Sequence, residues 1–311
     1  MQHAPAPAPS RARGLMLGAA IGDALGAPFE GGPSASTGHV AAELDRRPNY
    51  RFTDDAHMLI GLAESLLARG GFDGDHMAHH FARRYDAEPW RGYGSGPPQI
   101  FRMVQSGTPW DQAPASLFGG SGSFGNGGAM RVAPVAIATG GDPATTADLA
   151  AWTARITHTH PLGVEGAVIQ AVAAAFLLHE DSATLDPARL LRDLQGHAYD
   201  ETFRAKLAAV EELLQEAADA RAGAVLGNGI AAHESVPAAI YAALRHPGSF
   251  QDAVTFAISL GGDADTIACM AGALSGALLG EDAIPPAWRD NVEDAEHLRS
   301  LAERLGQLPA A

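Results

Sequence analysis

Apolar positions recur with a helical period along almost the whole chain. Ile267, Met270, Ala271, Leu274 and Leu278 stand at i, i+3, i+4, i+7 and i+11, which predicts a helix over the run from Ile267 to Leu279. Leu59, Leu62, Ala63 and Leu66 predict another, stopped by Gly70-Gly71. A third, from Gly14 to Gly26, carries Leu17, Ile21, Ala24 and Leu25 on one side and glycines at 14, 18, 22 and 26. Glycine weakens a helix by up to about 1 kcal/mol per residue relative to alanine, so a period of four predicts close approach by another backbone and a central place for this helix.

The pattern continues downstream. Leu149, Trp152, Thr153 and Ile156 mark a helix ending near Thr157 to Pro161, and Val164, Ala167, Val168, Ala171 and Ala175 mark the next. Phe203, Leu207, Val210, Leu214 and Ala217 form one more amphipathic face. Ser235-Val236-Pro237 reads as a cap with a first-turn proline, and Ser249 to Asp252 as a capping box leading to Gly261. The expected architecture is all-α, a compact orthogonal multi-helix bundle. It forms a single domain over 14–311, behind a disordered Ala/Pro tail over 1–13.

Composition narrows the class. Aromatic residues make up only 6% of the 311, while Ala, Gly and Leu dominate the apolar share, a balance suited to closely packed helices. A formal charge of −15 with no Lys/Arg cluster argues against an electrostatic grip on nucleic acid. Small anionic ligands remain possible, held by glycine-loop amides and bound cations. The one cysteine, Cys269, lies within a predicted helix and reads as core. No apolar stretch reaches transmembrane length. Arg11-Ala12-Arg13 before Gly14 to Ile21 imitates a signal peptide, but Asp23 interrupts it, and the expected compartment is the cytoplasm. No coiled-coil pattern demands an oligomer, so a monomer is expected.

The chemistry concentrates at two helix mouths. Gly261-Gly262-Asp263-Ala264-Asp265-Thr266 places three hard oxygen donors in a glycine turn, a set suited to Mg²⁺, Mn²⁺ or Ca²⁺ rather than Zn²⁺. A lone Asp before an apolar run ordinarily caps the helix, but a cap needs only one. Thr53-Asp54-Asp55 opens the helix of Leu59 in the same way. Successive helical residues point about 100° apart, so Asp54 and Asp55 face neighbouring positions. One acidic pair per helix mouth, twice, suggests a two-ion site; two unrelated acidic turns are the alternative. Glu30, in the loop Pro28 to Gly32, is either a further carboxylate on a hinge or an ordinary solvated side chain.

Two glycine-rich stretches offer ligand loops. Arg91 to Gly96 includes Gly94, and Phe118 to Gly128 contains a literal G-x-G-x-x-G at Gly120, Gly122 and Gly125. The preceding Asp111 to Ser116 is no hydrophobic strand, so the dinucleotide fingerprint fails its context test. What survives is physical: backbone amides approach a diphosphate closely where Cβ atoms are missing, and Phe118 and Phe124 offer stacking faces for a base. His158 is a ligand contact or a helix cap, and His76, His79 and His80 read as an exposed helix face rather than a metal site.

Taken together, Gly22-Asp23-Ala24-Leu25-Gly26, Thr53-Asp54-Asp55, Gly125 to Arg131 and Gly261 to Thr266 resemble the ADP-ribosylglycohydrolase family over residues 14 to 280. Within it, Ser123 to Ala133 and Leu226 to Pro237 look like the ADP-ribosylhydrolase 3 type, which removes ADP-ribose from serine. The resemblance implies an all-α hydrolase with two Mg²⁺, Mn²⁺ being possible. Its implied ligands are Thr53, Asp54, Asp55, Asp263, Asp265 and Thr266, with Glu30 the mobile carboxylate near the second ion. Glu30, Asp54, Asp55 and Asp263 would be catalytic. Ser121, Gly122, Ser123, Phe124, Gly125, Asn126, Gly127, His158 and Ile230 would contact ADP-ribose, with Phe118 and Gly94 alongside. The implied substrates are ADP-ribose-bearing proteins or small molecules, including O-acetyl-ADP-ribose or poly-ADP-ribose. The alternatives are an arginine-specific hydrolase and a non-catalytic member. Two positions depart from the family pattern: Ala56 stands where Thr is frequent, and Phe124 stands where the serine-specific branch shows Tyr.

Overall fold

The computed structural model describes residues 7–216, 219 and 221–309. Among the described residues there are seventeen α-helices, joined by short loops and 3₁₀ turns, and no β-strand. The core is one continuous cluster of buried aliphatic side chains, rich in alanine. None of the helices is long and apolar enough to cross a membrane.

At its centre the N-terminal helix, Pro9–Gly26, lies antiparallel to the helix Ala264–Leu279, which we term the second acidic helix. A Cβ on Gly14 would overlap the carbonyl of Gly276, one on Gly18 that of Gly272, one on Gly22 that of Ala268, and one on Gly26 the Cα of Asp265. The period-four glycines therefore meet another backbone along their whole length. Gly272 and Gly276 return the contact from the opposite side.

The N-terminal helix begins at Pro9, so residues 9–13 belong to the domain rather than to a tail. Proline at the first helical position is pre-set for helix. The added turn is anchored by tertiary contacts that no local pattern announces. Arg11 donates to the carbonyls of Leu178 and Glu180, and Arg13 pairs with Glu281 at 2.8 Å and Glu303 at 3.1 Å.

The first acidic helix, Asp54–Arg69, ends as expected at Gly70 in the left-handed conformation (φ +67°). Ser249 caps the helix Phe250–Ser259 by accepting from the Asp252 N–H at 3.2 Å. The helix Glu201–Leu214 buries Phe203, Leu207 and Val210; Ala217 lies outside the described residues. Trp152 differs from expectation: it stands half-exposed, with the Arg155 guanidinium 5.3 Å over its ring. His76 and His80 are held by Ser65 and Glu64, both at 2.8 Å, and only His79 faces outward.

The helix Ala232–Arg245 also departs from its sequence signal, because Pro237 lies inside it instead of opening it. Its start is fixed by pairing with the glycine-rich loop. Ala232 N–H donates to the Phe124 carbonyl at 3.0 Å and Asn126 N–H to that of Ile230 at 2.9 Å. Ser235 then donates back to the Ala231 carbonyl at 3.2 Å rather than capping.

Candidate active site and metal centre

The two acidic helix mouths open into one cavity of about 220 Å³. Thr53, Asp54 and Asp55 line it from one side, Asp263, Asp265 and Thr266 from the other, and Glu30 from the loop that follows the N-terminal helix. Single carboxylate oxygens of Glu30, Asp263 and Asp265 lie within 4.8 Å of one another. The Glu30 loop is stapled there by reciprocal backbone bonds: Gly31 N–H donates to the Gly262 carbonyl at 2.7 Å, and Gly262 N–H to that of Gly32 at 2.9 Å. Gly262 takes a positive φ of 64°, and a Cβ on it would overlap Asn228.

Capping does not account for these carboxylates. Asp263 occupies the cap position of the second acidic helix, yet its side chain makes no cap bond and instead accepts from Asn126 Nδ2. Asp265 Oδ1 accepts the Thr266 N–H at 2.9 Å. At the other mouth Asp55 Oδ2 is buried with no partner. Among the described residues none of the five carboxylates is ion-paired to Lys, Arg or His. Burial, compounded by neighbouring carboxylates, pushes Asp54 and Asp265 up to about 8. The same causes hold Asp55 well above the ordinary carboxylate range and raise Asp263. A hard divalent cation would relieve that repulsion and engage the orphaned oxygen. The donor set, all carboxylate and hydroxyl oxygen, fits Mg²⁺ or Mn²⁺.

The glycine-rich loop forms the other wall. Ser123, Gly125, Asn126 and Gly127 line the cavity together with Phe118, Gly94 and Ile230. A run of left-handed residues (Phe118 φ +53°, Gly119 +69°, Gly120 +91°, Gly122 +71°) coils the loop around them. Ser121, Gly122 and Phe124, expected as ligand contacts, do not line the cavity. Ser121 Oγ donates to the Phe118 carbonyl at 2.8 Å, and Gly122 packs where a Cβ would overlap Thr159. Phe124 is turned outward, half-exposed, its ring 5.8 Å from that of His160 and 6.5 Å from that of His233.

His158 and His160 divide the two roles open to a histidine here. His160 caps the helix Pro161–Leu177, its Nδ1 accepting from Leu162 N–H at 3.2 Å. His158 lines the cavity, its Nδ1 sharing a hydrogen bond of 2.7 Å with Thr157 Oγ1. Burial and the nearby Arg131 push His158 down to about 3, so it is neutral at physiological pH.

Two residues of the site lie within the family-matching stretches, yet no local pattern marks their roles. Arg131 is fully buried beneath the loop, donating to the Gly127 carbonyl at 2.8 Å and the Thr153 carbonyl at 3.1 Å. Asp23, also fully buried, reaches from the N-terminal helix to the start of the first acidic helix. An Asp inside a helical run, or an Arg just past a four-residue helix, carries no local mark of such a role.

The ADP-ribosylglycohydrolase family model matches residues 4–311. The chain belongs to that family. Curated relatives include the mouse ADP-ribosylhydrolase ARH3, 36% identical over 95% of this chain and 91% of the mouse protein. The ADP-ribosyl-[dinitrogen reductase] glycohydrolase of Rhodospirillum rubrum is 30% identical, over 91% of this chain and 90% of its own length. A solved ADP-ribosylglycohydrolase-related protein complex superposes with a TM-score of 0.78 at 29% identity, covering 97% of this chain and 99% of that one. The fold is that of the ADP-ribosylglycohydrolases, and the protein is a hydrolase acting on ADP-ribose linkages. Metal dependence is general in the family, and the acidic cluster is where this member could bind a metal.

Proposed function

We propose that the protein removes ADP-ribose from modified serine by hydrolysing the glycosidic bond at C1″, with two Mg²⁺ ions held by Thr53, Asp54, Asp55, Asp263, Asp265, Thr266 and Glu30; Mn²⁺ is a possible substitute. O-acetyl-ADP-ribose and poly-ADP-ribose are further candidate substrates. The observation that carries this reading is the convergence of five carboxylates, ion-paired to no cation among the described residues, on a cavity walled by the glycine-rich loop. Likeness of Ser123 to Ala133 and Leu226 to Pro237 to the serine-specific branch supports the acceptor assignment, as does the higher identity to mouse ARH3. The enzyme acts as a cytoplasmic monomer and makes no direct contact with nucleic acid.

Divalent ions held by these residues would supply Lewis acidity beside the ribose and make a nearby water easier to deprotonate. The chain supplies the rest. The wall of Ser123, Gly125 and Gly127, with little side-chain bulk, lets the diphosphate approach closely, and Phe118 stacks on the base at the exposed lip. Neutral His158 offers Nε2 to the substrate without adding charge. Glu30 takes a proton from the attacking water. The C1″–O bond breaks through an oxocarbenium-like state, the water oxygen joins C1″, and the departing serine oxygen leaves as a hydroxyl by taking up the proton that Glu30 gained.

A Mg²⁺ titration of ADP-ribose release from serine-modified, arginine-modified and polymeric substrates tests the reading. Mg²⁺-dependent release from serine supports it. Release from arginine alone would transfer the assignment to the arginine-specific branch. Tight ADP-ribose binding with no release from any substrate would mark a non-catalytic member.

A further inference from the structure

One helical turn of the molecule touches both halves of the acidic centre and lines none of the cavity. Asp23 is fully buried, and its Oδ1 accepts the Thr53 N–H at 2.9 Å and the Thr53 hydroxyl at 2.8 Å. Its Oδ2 accepts the Ala56 N–H at 2.9 Å and shares the Thr53 N–H at 3.0 Å. Ala56 is the third residue of the first acidic helix, so its N–H is one of the first-turn donors that a helix cannot satisfy internally. A residue from another helix thus takes over part of the cap. The hydroxyl proton of Thr53 is committed to Asp23, and its oxygen also accepts the Asp55 N–H at 3.5 Å, which leaves one lone pair of that oxygen for a cation.

The glycines flanking Asp23 face the other way. Gly22 lies against the Ala268 carbonyl, and Gly26 against the Cα of Asp265, with no side chain between the backbones. The turn from Gly22 to Gly26 therefore grips the first acidic helix by a carboxylate and the second by bare main chain.

We propose that this turn is the spacer that registers the two half-sites, and that Asp23 is a positioning residue which aims Thr53 and the first turn of its helix at the cations. The inference rests on the two-ion reading of the site and assigns the register to residues that touch neither metal nor substrate. Outer-sphere partners of this kind commonly govern metal affinity by 10–100-fold.

The test is titration of the full-length protein with Mn²⁺ alone, followed by electron paramagnetic resonance, at a temperature where circular dichroism shows each variant folded. Asp23→Asn keeps the volume but sets an amide N–H₂ against backbone donors, and should weaken Mn²⁺ binding by roughly 10–100-fold. Gly26→Ala, which presses on Asp265 from the second side, should also weaken it. Gly18→Ala is the control: it disturbs the same helix pair two turns away, so it should lower the melting temperature and leave Mn²⁺ affinity at the wild-type value. If Asp23→Asn does not fold, Gly26→Ala against Gly18→Ala carries the comparison. Wild-type affinity in Asp23→Asn and Gly26→Ala, or an equal loss in Gly18→Ala, would overturn the spacer. Failure of the wild-type protein to bind Mn²⁺ would overturn the two-ion reading itself, and the spacer with it.

Discussion

Asn126 donates its side-chain amide both to Asp263 and to Ser235, the latter at 3.0 Å. One residue therefore ties the glycine-rich loop to the second acidic helix mouth, and Ser235, buried at the start of its own helix, fixes the direction of the tie. With both amide hydrogens committed, the amide oxygen of Asn126 is left without either of those partners. Asn126→Ala should raise KM for the ADP-ribose substrate and weaken Mn²⁺ binding together. Each effect should be about 10–100-fold, from loss of a hydrogen bond to a charged group. Steady-state kinetics beside a Mn²⁺ titration checks this. A raised KM with unchanged metal affinity would mean that the Asn126–Asp263 bond couples nothing.

Gly18 and Gly272 face each other where the central helices cross, and a Cβ on either would overlap the carbonyl of the other. Overpacking a site where only main chain can yield costs typically 1–3 kcal/mol. Gly18→Ala and Gly272→Ala should each lower unfolding free energy by roughly that amount, read as a lower urea midpoint with turnover preserved while the protein remains folded. Retained stability in both would mean that the helices can separate freely.

Which parts of this architecture are visible in the chain follows from how local their causes are. Asp263 to Thr266 and Thr53 to Asp55 are legible because acidic residues, glycine or threonine and an apolar period coincide within one helical turn. The glycines at 14, 18, 22 and 26 announce a close backbone partner, although nothing local says that Gly272 and Gly276 supply it. Asp23 belongs to a family-matching stretch, but its role is not legible, since an aspartate within a helical run differs from a solvated one only through what it meets in space. Pro237 misleads, because pairing between Phe124–Asn126 and Ile230–Ala232 starts that helix earlier than its own capping signals do. Phe124 misleads likewise: its ring direction is set by His160 and His233, which lie in other elements.

Asp54 shows the conflict between function and stability directly. Burial and the charges of Asp23, Glu30 and Asp263 all disfavour its ionised form. Asp54→Asn removes one charge from the repulsive cluster while keeping its shape. Turnover should fall to background, and the metal-free protein should melt at or above the wild-type temperature at pH 8. Differential scanning calorimetry of both proteins in a chelator tests the second half, and a clear drop in melting temperature would identify Asp54 as a structural rather than a functional carboxylate.

Removal of divalent cations should make stability fall as pH rises. In the metal-free fold Asp54 and Asp265 hold their protons up to about pH 8, whereas in the unfolded chain such groups release them near pH 3.9. Between those values the native state binds more protons than the unfolded state, so the free energy of unfolding decreases with pH. The stabilising contribution is complete below the unfolded value and is lost as pH passes through about 8. Cations compete with protons for the same oxygens, so Mg²⁺ or Mn²⁺ should bind more tightly from pH 6 toward 8 and release protons on binding. Melting temperatures between pH 5 and pH 9, with a chelator and with excess Mg²⁺, should diverge progressively toward the alkaline end. Parallel curves would show that the acidic cluster carries its charge without a metal, and would remove the electrostatic case for one.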